Sequence, residues 1–521
     1  MSTTAQSIKK LDTFVGSEIK IDKEFVTGEV APNIFAGFLE HLGRCIYGGI
    51  VDYGNTKLTN DKGFRTDVAE AIKELDMPVM RWPGGNFVSS YHWLDGVGPV
   101  DQRPKRPELA WLNTESNEFG TDEFMQWCEY MGTEPYLCLN MGTGTLDEAL
   151  AWVEYCNGDK DTYYANLRRK NGREKPYNVK YWGVGNEVWG PWQVGQMTKE
   201  NYALKAAQWA KAIKLLDPTV KLVACGCNGV DEWDQHVVGE TFTTHDFYSI
   251  HLYTTSQDHY KNVFQPAGAE TAIQVTSKLA ELAKITNMTN KKFLVPLTEE
   301  QKKKEYKIVF DEWNVWDPIR ADGEHGAEQQ YDFSDGLAVA SWLNVFIRQA
   351  KYLEMTNIAQ CVNVIAPIMT NKDGLFKQTT YYPFQLFSKY FKNGQSLNLS
   401  VKSPIYKGDV GDFIGLEWVK YVDTSLALLD VSAVYQPAEK AYYVAVVNRS
   451  EDEDAETKIS IADAADSLNV TEWAYYHENI RAINTFEKPN EVVPKESKVT
   501  ISNNSTYKFP KHSFTLLKIQ E

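Results

Sequence analysis

Residues 181–192 read YWGVGNEVWGPW: an apolar run from Val179 to Val184 delivers an amide and a carboxylate, Asn186 and Glu187, among glycines. Gly183, Gly185 and Gly190 free the backbone to bend there, so the stretch reads as the end of a buried strand that presents polar side chains. A surface turn with an incidental glutamate is the competing reading, because exposed carboxylates are common. A second carboxylate placed in the same way separates the two.

Residues 306–316, YKIVFDEWNVW, supply it, as an apolar run ending in Asp311-Glu312. From residue 34 to about 395, short apolar runs alternate with helical patterns, which is the signature of βα units. Strands are expected at Ile34–Leu39, Val79–Trp82, Tyr136–Asn140, Val179–Val184, Lys221–Ala224, Phe247–Tyr253, Lys307–Phe310 and Cys361–Ile368. A capping box at Thr145 to Glu148 predicts a helix with Leu146, Ala149, Leu150, Val153 and Cys156 on its buried stripe. A second helix, from about Thr198 to Leu216, would bury Tyr202, Trp209, Ile213 and Leu216, and a third spans about Phe333 to Leu353. No GxGxxG loop follows the first strand, so eight strands with intervening helices predict a (β/α)8 TIM barrel over a doubly wound sheet. In that barrel Glu187 closes the fourth strand and Glu312 the seventh, and both emerge at the C-terminal face. Taken alone, Asp311-Glu312 also fits a salt-bridged strand end.

From Ile414 onward the texture changes to alternating strands, at Leu426–Tyr435, Ala441–Val447, Thr457–Ile461, Val470–Tyr476, Lys498–Ile501 and Ser513–Ile519. This predicts a C-terminal antiparallel β-sandwich, jelly-roll-like, completed by an N-terminal strand within Ser17–Val30. The expected division is a catalytic barrel over 32–395 and a sandwich built from 17–31 plus 396–521. The charged stretch Glu299–Lys307 reads as a solvated loop.

Composition narrows the partners. A chain of 521 residues exceeds one ordinary domain, and 15 Trp, 28 Tyr and 23 Phe suit both large cores and flat faces for sugar rings. A formal charge of −16 argues against nucleic acid and against an anionic membrane surface, and favours a neutral substrate. The 7 cysteines are odd in number with apolar neighbours, which suggests buried reduced thiols in a reducing compartment. Cys225-Gly-Cys227 is too closely spaced for a usual zinc site, and no metal is expected. The N-terminus has no apolar signal core and no stretch approaches about 18 apolar residues, so a soluble, cytoplasmic protein is expected.

Five blocks carry a family resemblance: GFLEHLGRCIYGG at 37–49, RWPGGNFVSSYHWLDGVGP at 81–99, GNEVWGPW at 185–192, FDEWNVW at 310–316 and NVIAPIM at 363–369. Together they resemble the signature blocks of the family 51 glycoside hydrolases, the α-L-arabinofuranosidases, from about residue 17 to the C-terminus. The resemblance implies a barrel with a β-sandwich and a retaining, exo-acting double displacement on terminal arabinofuranose of arabino-oligosaccharides or arabinoxylan fragments. It implies no cofactor, and a homo-oligomer with a hexamer among its forms. Carried over residue by residue, Glu187 matches the acid/base, Glu312 the nucleophile and Asn186 the partner of the sugar 2-hydroxyl. Glu40 and Asn86 match contacts to the furanose ring, His251 a residue near the acid/base, Tyr253 a support of the nucleophile, and Gln378 a further sugar contact. Arg81 is expected to orient a carboxylate, and Trp93 and Trp316 to wall the pocket. The plainer alternatives are an Arg81–Glu40 ion pair, a satisfied core histidine at His251 and core tryptophans. The loops 255–298 and 317–332 lie outside the blocks. A β-xylosidase or endoglucanase using the same two carboxylates is the nearest rival, and a carbohydrate-binding protein without chemistry is a rival of a different class.

Overall fold

The computed structural model describes residues 16–289, 298–410 and 426–521. Two short strands come first, β1 (Ser17–Ile21) and β2 (Val26–Glu29). Eight more follow: β3 (Ala36–Phe38), β4 (Val79–Trp82), β5 (Glu134–Cys138), β6 (Tyr181–Val184), β7 (Lys221–Ala224), β8 (Phe247–Thr254), β9 (Ile308–Val315) and β10 (Leu353–Ile358). These eight close into a parallel barrel in chain order, with β10 pairing back onto β3. Each contributes one side chain to a separate apolar cluster: Ala36, Val79, Tyr136, Tyr181, Val223, Phe247, Val309 and Met355. The barrel interior is thus a packed plug, and chemistry is confined to the mouth where the strands end.

The eighth strand is not the one the sequence pattern predicts. Cys361–Ile368 is more apolar, but the barrel uses Leu353–Ile358, which pairs Met355 with Val309 and Asn357 with Ala36. Thr356 and Asn357 interrupt the apolar run, yet both are buried and bonded, Thr356 Oγ1 to the Ile34 carbonyl at 2.5 Å and Asn357 Nδ2 to the Gly37 carbonyl at 2.9 Å. Neighbouring backbone satisfies these polar groups, so their burial leaves no hydrophobic signal. The stretch after β10 becomes part of the rim instead.

Outside the barrel, α1 (Leu146–Asn157), α2 (Lys199–Leu216), α3 (Pro266–Thr289), α4 (Glu299–Lys303) and α5 (Phe333–Arg348) bear on the expectations. At α1 only half the capping box forms: Thr145 accepts from the Glu148 N–H at 3.1 Å, while the Glu148 carboxylate turns to His92 Nδ1 at 2.9 Å. In α2, Tyr202, Trp209 and Ile213 are buried, but Leu216 in the last turn is 45% exposed. The charged stretch after Thr298 contains the one-turn α4, closed by a reciprocal Thr298–Gln301 capping box, and is not a bare loop. Helix α5 ends at Arg348, five residues before the expected Leu353, and is buried from Phe333 to Ile347 because it packs against both the barrel and the second domain.

That second domain comprises β11 (Gln395–Leu397), β12 (Ser400–Lys402), β13 (Leu429–Gln436), β14 (Ala441–Asn448), β15 (Ala455–Ile461), β16 (Ser467–Tyr475), β17 (Lys495–Ser502), β18 (Thr506–Phe509) and β19 (Ser513–Gln520). One sheet runs β2-β11-β13-β14-β19-β16-β17 and the other β12-β1-β15-β18. The N-terminal segment does complete this domain, but as two strands in two sheets: a turn at Asp22–Phe25 divides it, held by the Asp22 carbonyl and carboxylate. Pairing is antiparallel except between β1 and β15, which run parallel. The expected onset near Ile414 and the N-terminal signal-free stretch lie outside the described residues. Within them, no helix is long and apolar enough to cross a membrane.

Candidate active site

Two local distortions build the site at the C-terminal ends of the barrel strands. Along a regular strand, successive side chains face opposite sides, so Asp311 and Glu312 could not both face inward. The register between β8 and β9 slips between the pairs Ser249–Val309 and His251–Glu312, and the β9–β10 register slips between Phe310 and Trp313. This bulge places both acids inside, where Asp311 is 2% and Glu312 6% exposed. At the end of β6 the same result comes from backbone twist. Gly185 has φ 88° and Glu187 φ 43°, a left-handed conformation that costs a non-glycine residue about 1–2 kcal/mol. It turns Asn186 and Glu187 toward the barrel axis together.

Arg81, on β4 and buried beneath this floor, ties the two ends. Its Nη1 donates to Glu312 Oε1 at 2.8 Å and to the Asp311 carbonyl at 3.0 Å, and its Nη2 to Asn186 Oδ1 at 2.6 Å. The guanidinium lies over the Phe38 ring at 4.4 Å. Glu312 Oε2 accepts from the Tyr253 hydroxyl at 2.8 Å. Glu187 Oε1 is 2.9 Å from His251 Nδ1, and Oε2 accepts from the indole N–H of the half-exposed Trp192 at 3.2 Å. Asn186 Nδ2 is buried without a partner among the described residues. Oxygens of Glu187 and Glu312, together with a nitrogen of His251, lie within 4.8 Å of one another.

Charges at the site reinforce one another. Burial disfavours the imidazolium of His251, but Glu312 and then Asp311 outweigh it and raise the ring to about 10. Burial likewise disfavours the Asp311 carboxylate, and here Arg81 and His251 prevail, holding it well below the usual range. Burial, reinforced by Glu312, pushes Glu40 up to about 8. Glu40 does not pair with Arg81 directly: its carboxyl accepts from the Phe87 N–H at 3.1 Å, Trp111 Nε1 at 3.3 Å and Gln360 Nε2 at 2.9 Å.

Above these groups opens a cleft of about 1220 Å³, lined among others by Glu40, Asn86, Glu187, His251, Tyr253, Glu312 and Trp316. Two residues expected at the pocket lie elsewhere. Gln378 is buried as a strap, accepting from the Tyr331 N–H at 2.9 Å and donating to the Gln329 and Ala366 carbonyls. Trp93 is a core residue whose indole stacks on Trp152 and donates to the Glu148 carbonyl at 3.1 Å. Trp316 does line the cleft, edge-on to Tyr253 at 5.4 Å. Sequence reasoning missed Trp111, on a loop with no pattern, and Gln360, next to a segment read as a strand. It also gave Asp311 no role, although that residue adjoins Glu312. From the loop 317–332, outside the resemblance blocks, Asp322 and Glu324 reach the rim. All seven cysteines are buried and unpaired.

Residues 71–268 match the model of the alpha-L-arabinofuranosidase 1 domain, and residues 311–513 that of the alpha-L-arabinofuranosidase C-terminal domain. The alpha-L-arabinofuranosidase C of Emericella nidulans is 52% identical over 96% of this chain and 97% of its own length. The intracellular exo-alpha-(1→5)-L-arabinofuranosidase 1 of Bacillus subtilis is 36% identical over 96% of this chain and 98% of its own. Among solved structures, the thermostable GH51 α-L-arabinofuranosidase of Thermotoga petrophila superposes with a TM-score of 0.83 at 36% identity, covering 97% of this chain and 100% of that one.

Proposed function

Since the chain belongs to the family 51 α-L-arabinofuranosidases, and so is a glycoside hydrolase, we propose that it is a retaining, exo-acting enzyme that removes terminal arabinofuranose from arabino-oligosaccharides or arabinoxylan fragments. The observation that carries the mechanism is the approach of Glu187 and Glu312 oxygens to within 4.8 Å. Retaining pairs stand about 5–5.5 Å apart, whereas inverting pairs need about 6.5–9.5 Å to admit a water between them. Glu312, aimed by Arg81 and Tyr253, attacks the anomeric carbon. Glu187 protonates the departing oxygen as the glycosidic bond breaks. Water then attacks the same carbon, gives a proton back to Glu187 and releases Glu312 from the ester.

The remaining residues fit binding roles. The unpaired Asn186 amide, beside both glutamates, is available to a sugar 2-hydroxyl. Glu40 and Asn86 hold the ring from the other side, with His251, Tyr253 and Trp316 completing the wall. The chemistry belongs to residues 32–395, with 17–31 and 396–521 bracing them. The exo mode accords with the activity named for the Bacillus subtilis relative, and a cytoplasmic homo-oligomer is the form we expect.

The test is turnover of an aryl arabinofuranoside by wild type, Glu187→Ala and Glu312→Ala, with and without azide. Glu187→Ala should lose a factor on the order of 10²–10⁴ and recover with azide, which needs no general base. Glu312→Ala should lose the covalent route, so any azide product it forms has inverted configuration. Near-wild-type activity of either variant overturns the assignment, and faster turnover of the aryl xyloside or glucoside overturns the substrate class.

A further inference from the structure

The Asp311 carboxylate accepts three hydrogen bonds, as many as Glu40, yet it does not line the cleft. It accepts from the Tyr136 hydroxyl at 2.7 Å, from the Ser249 hydroxyl and from His251 Nε2 at 3.0 Å, with Arg81 Nε 3.7 Å away. A buried acid so surrounded by donors is an acceptor only, so Nε2 of His251 must carry hydrogen. The other ring nitrogen faces Glu187 Oε1 at 2.9 Å, on the buried side of that carboxyl. Glu187 Oε2 points the other way, to the half-exposed Trp192.

We propose that Asp311 is a positioning residue that keeps His251 protonated on both nitrogens, so that Nδ1–H always occupies Glu187 Oε1 and the transferred proton is confined to Oε2. The idea rests on Glu187 being the acid/base. In the first half-reaction Oε2 gives its proton to the leaving oxygen while the Glu312 ester forms, and in the second Oε2 takes a proton from water while the ester breaks. Throughout, His251 keeps both hydrogens and Oε1 keeps its donor. The groups facing the ring agree with a permanent imidazolium: Glu187 beyond β6, and Asp311 and Glu312 on β9, with Arg81 of β4 behind both acids. The ring's N–H donor capacity is used on both sides, while its backbone N–H is held by the Cys227 carbonyl. With Glu312 ionised, Glu312 and then Asp311 raise the ring to about 10, and once the Glu312 ester has formed Asp311 is the buried charge that remains on the ring. Without Asp311 a neutral ring would turn Nδ1 into an acceptor, which would draw the acid proton onto Oε1, away from the cleft.

Leaving-group dependence reads this out. A dinitrophenolate departs without a proton, whereas an alkyl or sugar alcohol requires one. Asp311→Asn should lose on the order of 100-fold in kcat/KM on methyl arabinofuranoside and less than about 3-fold on the dinitrophenyl glycoside, by the usual size of general acid catalysis. An equal loss on both substrates overturns the proposal, since a structural defect, or one acting through Arg81 and Glu312, would not distinguish leaving groups. Ser249→Ala removes one donor from Asp311 and leaves its charge. It should show the same dependence at smaller size, and a uniform loss there is equally fatal, even if Asp311→Asn proves unfolded. Glu187→Ala serves as the reference. If it too lacks leaving-group dependence, the acid/base assignment fails, whereas if only the Asp311 variant lacks it, this inference alone fails.

Discussion

Replacing Arg81 with lysine isolates the geometry of the guanidinium from its charge. The fork spans Glu312 Oε1 on one strand end and Asn186 Oδ1 on another, at 2.8 and 2.6 Å, with the Asp311 carbonyl between them. A lysine ammonium keeps the charge but is a single compact centre, and cannot hold groups that a planar fork holds side by side. Hydrogen bonds to charged groups contribute about 1.5–3 kcal/mol each. If two are lost and one is partly recovered, about 3 kcal/mol of positioning disappears. At 1.36 kcal/mol per decade, kcat/KM should fall on the order of 100-fold. The assay is kcat/KM on an aryl arabinofuranoside, with urea unfolding in parallel. Arg81→Met is the control: it leaves two buried acids without their cation, and should destabilise by about 3–5 kcal/mol as well as inactivate. Activity of Arg81→Lys within about 3-fold of wild type would refute the reasoning. So would equal behaviour of the two variants in both assays, since the guanidinium would then matter neither for its shape nor for its charge in the way described.

Three further outcomes follow from the burial of polar groups. Gln378→Ala strips partners from the Tyr331 N–H and two carbonyls, so it should lower stability by about 2–4 kcal/mol in urea titration and leave KM within about 2-fold. Gln360→Ala strips a partner from both the backbone N–H and the carboxyl of Glu40, so it should lower kcat/KM by roughly tenfold and also cost about 1–3 kcal/mol in urea titration, and its effect on activity reverses the ranking that the motif resemblance suggests. For Glu40 itself the sign of the pH dependence is fixed by its raised value of about 8 against an ordinary 4.5. Above the ordinary value the unfolded chain releases a proton that the folded chain retains, so this group makes stability fall as pH rises between about 4.5 and 8. Glu40→Gln should flatten that slope in urea midpoints measured from pH 5 to 8, and an unchanged slope would show that Glu40 is not the group responsible.

Most of the barrel was legible because its strands are short apolar runs between helical patterns, and seven of the eight follow from that contrast. The exception, Leu353–Ile358, hides because Thr356 and Asn357 satisfy themselves on neighbouring backbone. Motif matching singled out the two glutamates, which the fold brings to one cleft, through residues adjacent in sequence. It misplaced Gln378 and Trp93 because proximity in a motif does not say which way a side chain faces. Gln360 and Trp111 could be found only once the chain had brought Glu40 to them.

What the sequence carries unaided is that YWGVGNEVWGPW and YKIVFDEWNVW each bring a buried apolar run to a carboxylate, although the second strand continues past Glu312 to Val315. Tertiary structure alone decided that Asn186 and Glu187 face the same way, as do Asp311 and Glu312. Strand periodicity predicts the opposite for neighbours. Only the β9 bulge and the left-handed turn at Gly185–Glu187, maintained by barrel closure and by Arg81 bridging the two ends, override it.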